Sequence, residues 1–233
     1  MDVVTLEPRL HMLAFPVGHA YLWVGEDGLT LIDTGEVGKA PAVADAIAGL
    51  GFRTGDVRRV LLTHFHDDHV GSAAAIAGWG DVLVYAHSTE TPIIRGLEPG
   101  PPPVLRDWER PLFEQLPPRV LPGPVRVDRE LTDGDTIDLG GVDAVAVHVP
   151  GHTPGSVAYY LPEPRVLFTG DTVARLPDGT VILGVFNVDH DRAVDSLRRQ
   201  AALDVGIACF GHGAPLTGDA SAQLRRTAAT AHL

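Results

Sequence analysis

The chain has 233 residues, 45% of them hydrophobic, and a formal net charge of −12 at pH 7. That is apolar material for one large domain or two small ones with a sizeable core, and the acidic balance argues against the basic face that nucleic-acid phosphates require. The single cysteine, Cys209, excludes an internal disulfide and fits a reducing compartment.

Residues 1–7 lack the basic-then-apolar pattern of a secretory leader. No apolar run approaches the ~20 residues of a membrane-spanning helix. Cytoplasmic residence is the expectation. Residues 21–24 and 29–33 are short apolar segments around Gly25-Glu26-Asp27-Gly28, where the Asp-Gly pair predicts a hairpin. Residues 41–50 read as a helix: Pro41 suits its first turn, Val43, Ile47 and Leu50 share a face, and Gly51 ends it. Residues 57–63 read as a strand, 71–77 as a short helix of small residues, and 82–86 as the next strand.

Residues 88–128 break the regularity, with prolines recurring from Pro92 to Pro124. Long irregular segments in compact domains tend to be functional or disordered. Ile93, Ile94, Leu97, Trp108, Leu112 and Phe113 are apolar here, so a partly helical lid that shapes a substrate pocket is expected, with Trp108 in its wall. Beyond it, residues 136–139, 142–149, 157–161, 166–169 and 206–210 read as strands. Residues 191–202, with Asp191 as N-cap, and 220–229 read as helices. One domain over residues 1–233 accommodates all of these.

The strand at 57–63 delivers Thr63-His64-Phe65-His66-Asp67-Asp68-His69-Val70-Gly71. In an extended segment His64 and His66 point to the same side and can reach one ion. Asp68 and His69 lie where the chain turns and can reach a second. Neutral imidazole is the commonest metal ligand, and a divalent cation makes such a cluster favourable.

This stretch resembles the signature of the metallo-β-lactamase superfamily. Four further segments resemble the family's other motifs, in the family's order: Leu31-Ile32-Asp33-Thr34-Gly35, Pro150-Gly151-His152-Thr153-Pro154-Gly155-Ser156, Phe168-Thr169-Gly170-Asp171-Thr172 and Phe210-Gly211-His212-Gly213. The resemblance spans about residues 10–216. It implies an α+β fold, a four-layer αββα sandwich with two mixed β-sheets face to face and helices outside. It implies one ion on His64, His66 and His152, a second on Asp68, His69 and His212, and Asp171 bridging them. Three protein ligands per ion leave positions open for water and substrate. The donor set suits zinc, and mixed N/O sites also accept iron or manganese. A hydroxide bridging two such ions is the expected nucleophile, with Asp68 orienting it and shuttling a proton. Asp33 is expected to accept a hydrogen bond from a ligand imidazole and fix its tautomer. His190 is a candidate for the substrate pocket, alongside Trp108.

Departures from the family's patterns narrow the activity. β-Lactamases of this class generally lack an Asp at the bridging position, so Asp171 argues against that activity. Ala174 stands where quorum-quenching lactonases usually carry Tyr. Only residues 213–233 follow His212, too few for the helical domain that glyoxalase II enzymes use for their glutathione thioester. The expectation is a stand-alone dinuclear zinc hydrolase near the lactonase and glyoxalase II-like branch, acting on a lactone, thioester or ester. The alternative is an oxidoreductase resembling persulfide dioxygenases, with one iron on two His and an Asp. Expected partners are a small-molecule substrate, no nucleic acid and no membrane, with the chain a monomer or homodimer.

Overall fold

Side chains alternate between the two faces of a strand, and in this chain many strands are apolar on both. The computed structural model describes residues 1–118 and 120–231. A seven-stranded sheet runs in chain order through β1 (Asp2–Glu7), β2 (Leu10–Ala14), β3 (His19–Val24), β4 (Leu29–Ile32), β5 (Val57–Leu61), β6 (Leu83–His87) and β7 (Arg129–Leu131). Its pairs are antiparallel up to β4 and parallel from β4 onward. Parallel neighbours need crossovers. These carry the helices α1 (Ala40–Gly49), α2 (Asp67–Val70), α3 (Ala73–Ala77), α4 (Thr91–Ile94) and α5 (Arg110–Glu114).

The second sheet contains β8 (Thr136–Asp138), β9 (Asp143–His148), β10 (Val157–Leu161) and β11 (Val166–Phe168). A small ribbon of β12 (Val173–Arg175) and β13 (Val181–Leu183) follows, then the helix α6 (His190–Ala201), the strand β14 (Ile207–Cys209) and the helix α7 (Ala220–Thr230). The spatial order is β14-β11-β10-β9-β8, with only β11 and β14 parallel.

Three buried clusters define the layers. On β10, Val157, Tyr159 and Leu161 face Leu10, Tyr21, Trp23 and Leu61 of the first sheet, while Ala158 faces Leu197 of α6 and Leu224 of α7. On β4 and β5, Leu29, Leu31 and Val60 pack against Val43 and Ile47 of α1 and Ile76 of α3. Helix, sheet, sheet and helix are therefore stacked as four layers, each interface sealed by alternate residues of the same strands. Tyr21 and Phe168 meet across the middle layer with ring centroids 5.4 Å apart. No helix among the described residues is long and apolar enough to cross a membrane.

The helix expected from Asp191 begins at His190. Its cap is Asp189, whose side chain accepts from Arg192 N at 3.1 Å. The segment 88–128 contains the single-turn helices α4 and α5 joined by turns and irregular chain.

Candidate metal centre

The five sequence motifs leave the sheets at one rim. Tyr159 Oη donates to Leu62 O at 2.8 Å and Val157 N donates to Thr63 O at 2.9 Å, so the second sheet grips the first at the point where His64 follows. His66 is the extended residue before α2, whose first turn carries Asp68 and then His69. His152 lies in the loop from β9 to β10, Asp171 in a one-turn 3₁₀ helix after β11, and His212 just beyond β14. Gly211 is obligatory here, because any Cβ on it would collide with Asp171 Oδ1 and crowd His69.

The fold gathers these side chains into two groups, His64, His66, His152 and Asp171, and Asp68, His69, Asp171 and His212. In each group one donor atom per residue lies within 4.8 Å of all the others. Asp171 belongs to both: Oδ2 is 3.7 Å from His152 Nε2 and 3.1 Å from His212 Nε2, and Oδ1 is 3.2 Å from His69 Nε2. Asp68 Oδ2 completes the second group, 3.2 Å from His212 Nε2.

Hydrogen bonds on the far sides of the rings fix the tautomers. Thr63 Oγ1 donates its proton to Asp33 Oδ2 at 2.8 Å and therefore accepts from His64 Nδ1 at 3.0 Å. His152 Nδ1 donates to Val185 O at 3.1 Å, and His69 Nδ1 donates to Asp33 Oδ2 at 2.7 Å. Each ring then turns an Nε2 lone pair inward. His64 Nε2 and His152 Nε2 lie 3.0 and 2.9 Å from His66 Nδ1, which has at most one proton for two acceptors. His69 Nε2 and Asp171 Oδ1 are buried and, though 3.2 Å apart, form no aligned hydrogen bond with each other or with any other group. A set of convergent lone pairs is unfavourable alone and fits a cation.

The electrostatics separate the two groups: burial opposes a charge on His69, yet Asp171, Asp68 and Asp33 draw its imidazole well above the usual range. Burial, then the charges of His69 and His66, hold His64 well below the usual imidazole range, which keeps it a neutral donor. Asp171 draws His212 up to about 10 against the cost of burial. Burial opposes charge on Asp171 too, yet His212 and His69 hold its carboxyl well below the usual range. Negative potential is thus concentrated on the second group.

The sequence profile of the metallo-beta-lactamase superfamily matches residues 14–212. The chain belongs to that superfamily. It is 29% identical over 207 residues to the "Probable metallo-hydrolase YflN" of Bacillus subtilis (strain 168), covering 81% of this chain and 76% of that one. It is 32% identical to the hydroxyacylglutathione hydrolase of Roseobacter denitrificans, over 70% of this chain and 51% of that enzyme, so it spans about half the length of that relative. Among solved structures, a metallo-beta-lactamase family protein from Thermus thermophilus superposes with a TM-score of 0.70 at 27% identity, covering 97% of this chain and 80% of that one.

Within this superfamily fold, two buried carboxylates that sequence reasoning missed brace the centre. Glu90 Oε2 accepts from Phe65 N at 2.9 Å, between His64 and His66, and Oε1 accepts from Gly155 N at 2.7 Å, in the His152 loop. Burial pushes the Glu90 carboxyl up to about 7, against the pull of those bonds. Glu109 Oε1 accepts from Phe186 N at 2.8 Å, next to the Val185 carbonyl that orients His152, and Oε2 accepts from Arg106 N at 2.8 Å. An acidic residue beside a proline-rich stretch gave no sequence signal for either role. His148 and His87 stack at 4.1 Å, and His148 Nε2 donates to Pro154 O at 3.0 Å, which props the same loop.

A cavity of about 490 Å³ opens over the centre, with His66, Asp68, His152, Asp171 and His212 in its floor. The segment 88–128 supplies Pro103, Leu112, Leu116, Pro117, Pro118 and Val120 to its wall. The two pocket residues expected from sequence do not line it. Trp108 is 56% exposed, on the turn before α5, and His190 is taken up in the first turn of α6. Leu112, one helical turn after Trp108, is the apolar residue of α5 that faces the cavity.

Proposed function

We propose that the chain is a metal-dependent hydrolase acting on a small molecule with an ester-like bond (lactone, thioester or ester), at a centre of two divalent ions, with zinc the best match to the donors. The observation that supports it most is the sharing of Asp171 between two groups of inward lone pairs, one all-imidazole and one with the Asp68 carboxylate. His64, His66 and His152 would hold one ion, Asp68, His69 and His212 the other, and Asp171 both. When bound, the ions supply Lewis acidity and bring the pKa of water toward about 7.

The remaining work falls to this chain's own groups. Asp33, Thr63 and Val185 hold three imidazoles in the donor tautomer. Asp68 lies in the cavity floor, where its carboxylate reaches both an attacking water and a leaving group and can carry a proton from one to the other. The apolar wall would exclude bulk water from that transfer once a substrate fills the cavity.

Elemental analysis, run beside turnover of a lactone, a thioester and an ester on the same sample, tests this. Near two zinc ions per chain, with hydrolysis lost in Asp68→Ala, is the expected result. About one iron per chain, no hydrolysis, and oxygen uptake with a persulfide would replace the reading with an oxidoreductase.

A further inference from the structure

Six exposed apolar side chains, Val17, Val37, Leu112, Leu116, Val120 and Leu176, line this one cavity. Exposed apolar side chains gathered in one place mark a surface that something apolar covers. The patch is continuous with the cavity floor that holds the candidate metal ligands, so its occupant is part of the substrate.

The charged groups of the wall point the same way. Lys39 Nζ is 3.4 Å from Glu36 Oε2. Arg175 is turned onto backbone, with Nε donating to Gly179 O at 3.2 Å and Nη1 to Pro215 O at 3.1 Å. Lys39 and Arg175 therefore both have partners within the chain. A peptide carrier such as glutathione brings two carboxylates that would need them.

We infer that the cavity binds an unbranched apolar acyl tail along Leu112, Leu116 and Val120, with the scissile carbonyl on the metal side, and that it selects neutral acyl esters or lactones over thioesters of charged carriers. This rests on the hydrolase reading above. The wall is well placed for it: α5 is tied down at Glu109, and Phe113 packs edge-on against Phe186 at 5.3 Å. A cavity of about 490 Å³ lies within the range that encloses most of a small ligand.

The test uses zinc-loaded protein with para-nitrophenyl acetate, butyrate and octanoate and with S-lactoylglutathione. In parallel, binding of 1-octanol, which has no bond to cleave, is followed by ligand-observed NMR on EDTA-treated protein. Each buried methylene contributes about fourfold. The octanoate ester should therefore exceed the butyrate in kcat/KM by on the order of 100-fold, and 1-octanol should bind without metal. Leu112→Ser and Val120→Ser, both at exposed positions, should collapse the octanoate-to-butyrate ratio, whereas Leu121→Ser, 81% exposed and outside the cavity, should keep it. Ester hydrolysis with a flat chain-length profile and no octanol binding overturns the inference and leaves the hydrolase reading standing. Faster turnover of S-lactoylglutathione than of the octanoate ester also overturns it. Octanol binding that is lost in Leu112→Ser, without hydrolysis of any ester, of S-lactoylglutathione or of a γ-lactone added to the panel, upholds the apolar site and removes the hydrolase reading.

Discussion

The Asp33 carboxylate accepts the Nδ1 proton of His69 at 2.7 Å from a backbone at φ 59°, in the left-handed region. That region costs a bulky residue dearly and Asp comparatively little. The same carboxylate accepts from Thr63 N and Thr63 Oγ1, both at 2.8 Å. Through Thr63 it also sets the tautomer of His64. One side chain at the end of β4 therefore orients one imidazole in each group of candidate ligands.

Asp33→Ala should weaken zinc binding by about 10- to 100-fold, the usual effect of removing a carboxylate behind a ligand imidazole. A competition titration against a coloured zinc chelator measures this. The buried Thr63 N–H would also lose its acceptor, at a cost of about 1–3 kcal/mol in a urea melt. Unchanged zinc affinity would show that His69 holds its orientation without Asp33.

Glu90 joins the two loops that carry His64, His66 and His152. Glu90→Gln presents one amide NH₂ where an acceptor stood, so either Phe65 N or Gly155 N faces a donor. The variant should be less stable by about 1–3 kcal/mol and bind metal more weakly. Its pH dependence should also change. The native carboxyl is raised from 4.5 to about 7, so between those values the folded chain holds more of this proton than the unfolded chain. Its contribution to stability is full below pH 4.5 and is lost as pH rises through 7. Urea melts from about pH 4 to 8 should show that downward component in the native chain and lack it in Glu90→Gln. Identical pH profiles would mean that Glu90 titrates alike in the folded and the unfolded chain.

The contrast between Asp33 and Glu90 shows what a single sequence discloses. The candidate ligands stand in short local runs at strand ends, where strand alternation and a turn already place His64, His66, Asp68 and His69 together. Asp33 sits in such a run as well. Glu90 and Glu109 act on backbone N–H groups 65 and 77 residues away, and any residue type supplies a backbone N–H, so no pattern marks the pairing. The four layers were legible through the superfamily resemblance that the five motifs carry, and the strands at 157–161 and 166–168, almost wholly buried, agree with it. The outer hairpin of β1 and β2 was not, since β1 is mostly exposed and pairs with β2 at the edge of the sheet. Trp108 drew attention by its size, but the direction of a side chain in the turn before α5 depends on where Glu109 anchors that turn.

Glu109 supplies the last prediction. Phe186 adopts φ 60°, a conformation that costs a non-glycine residue about 1–3 kcal/mol and persists only where its surroundings impose it. The bond from Phe186 N to Glu109 is one such constraint, and the Phe113 ring is another. Glu109→Ala should let residues 184–187 relax, withdrawing Val185 O from His152 Nδ1 and Phe186 from the cavity wall. KM should rise and zinc affinity should fall together, since one segment serves both. Adding Phe186→Gly removes the backbone strain at that position and should recover zinc affinity, while the raised KM persists because the ring is gone. Restoration of both, or of neither, would show that the segment does not couple the wall to His152.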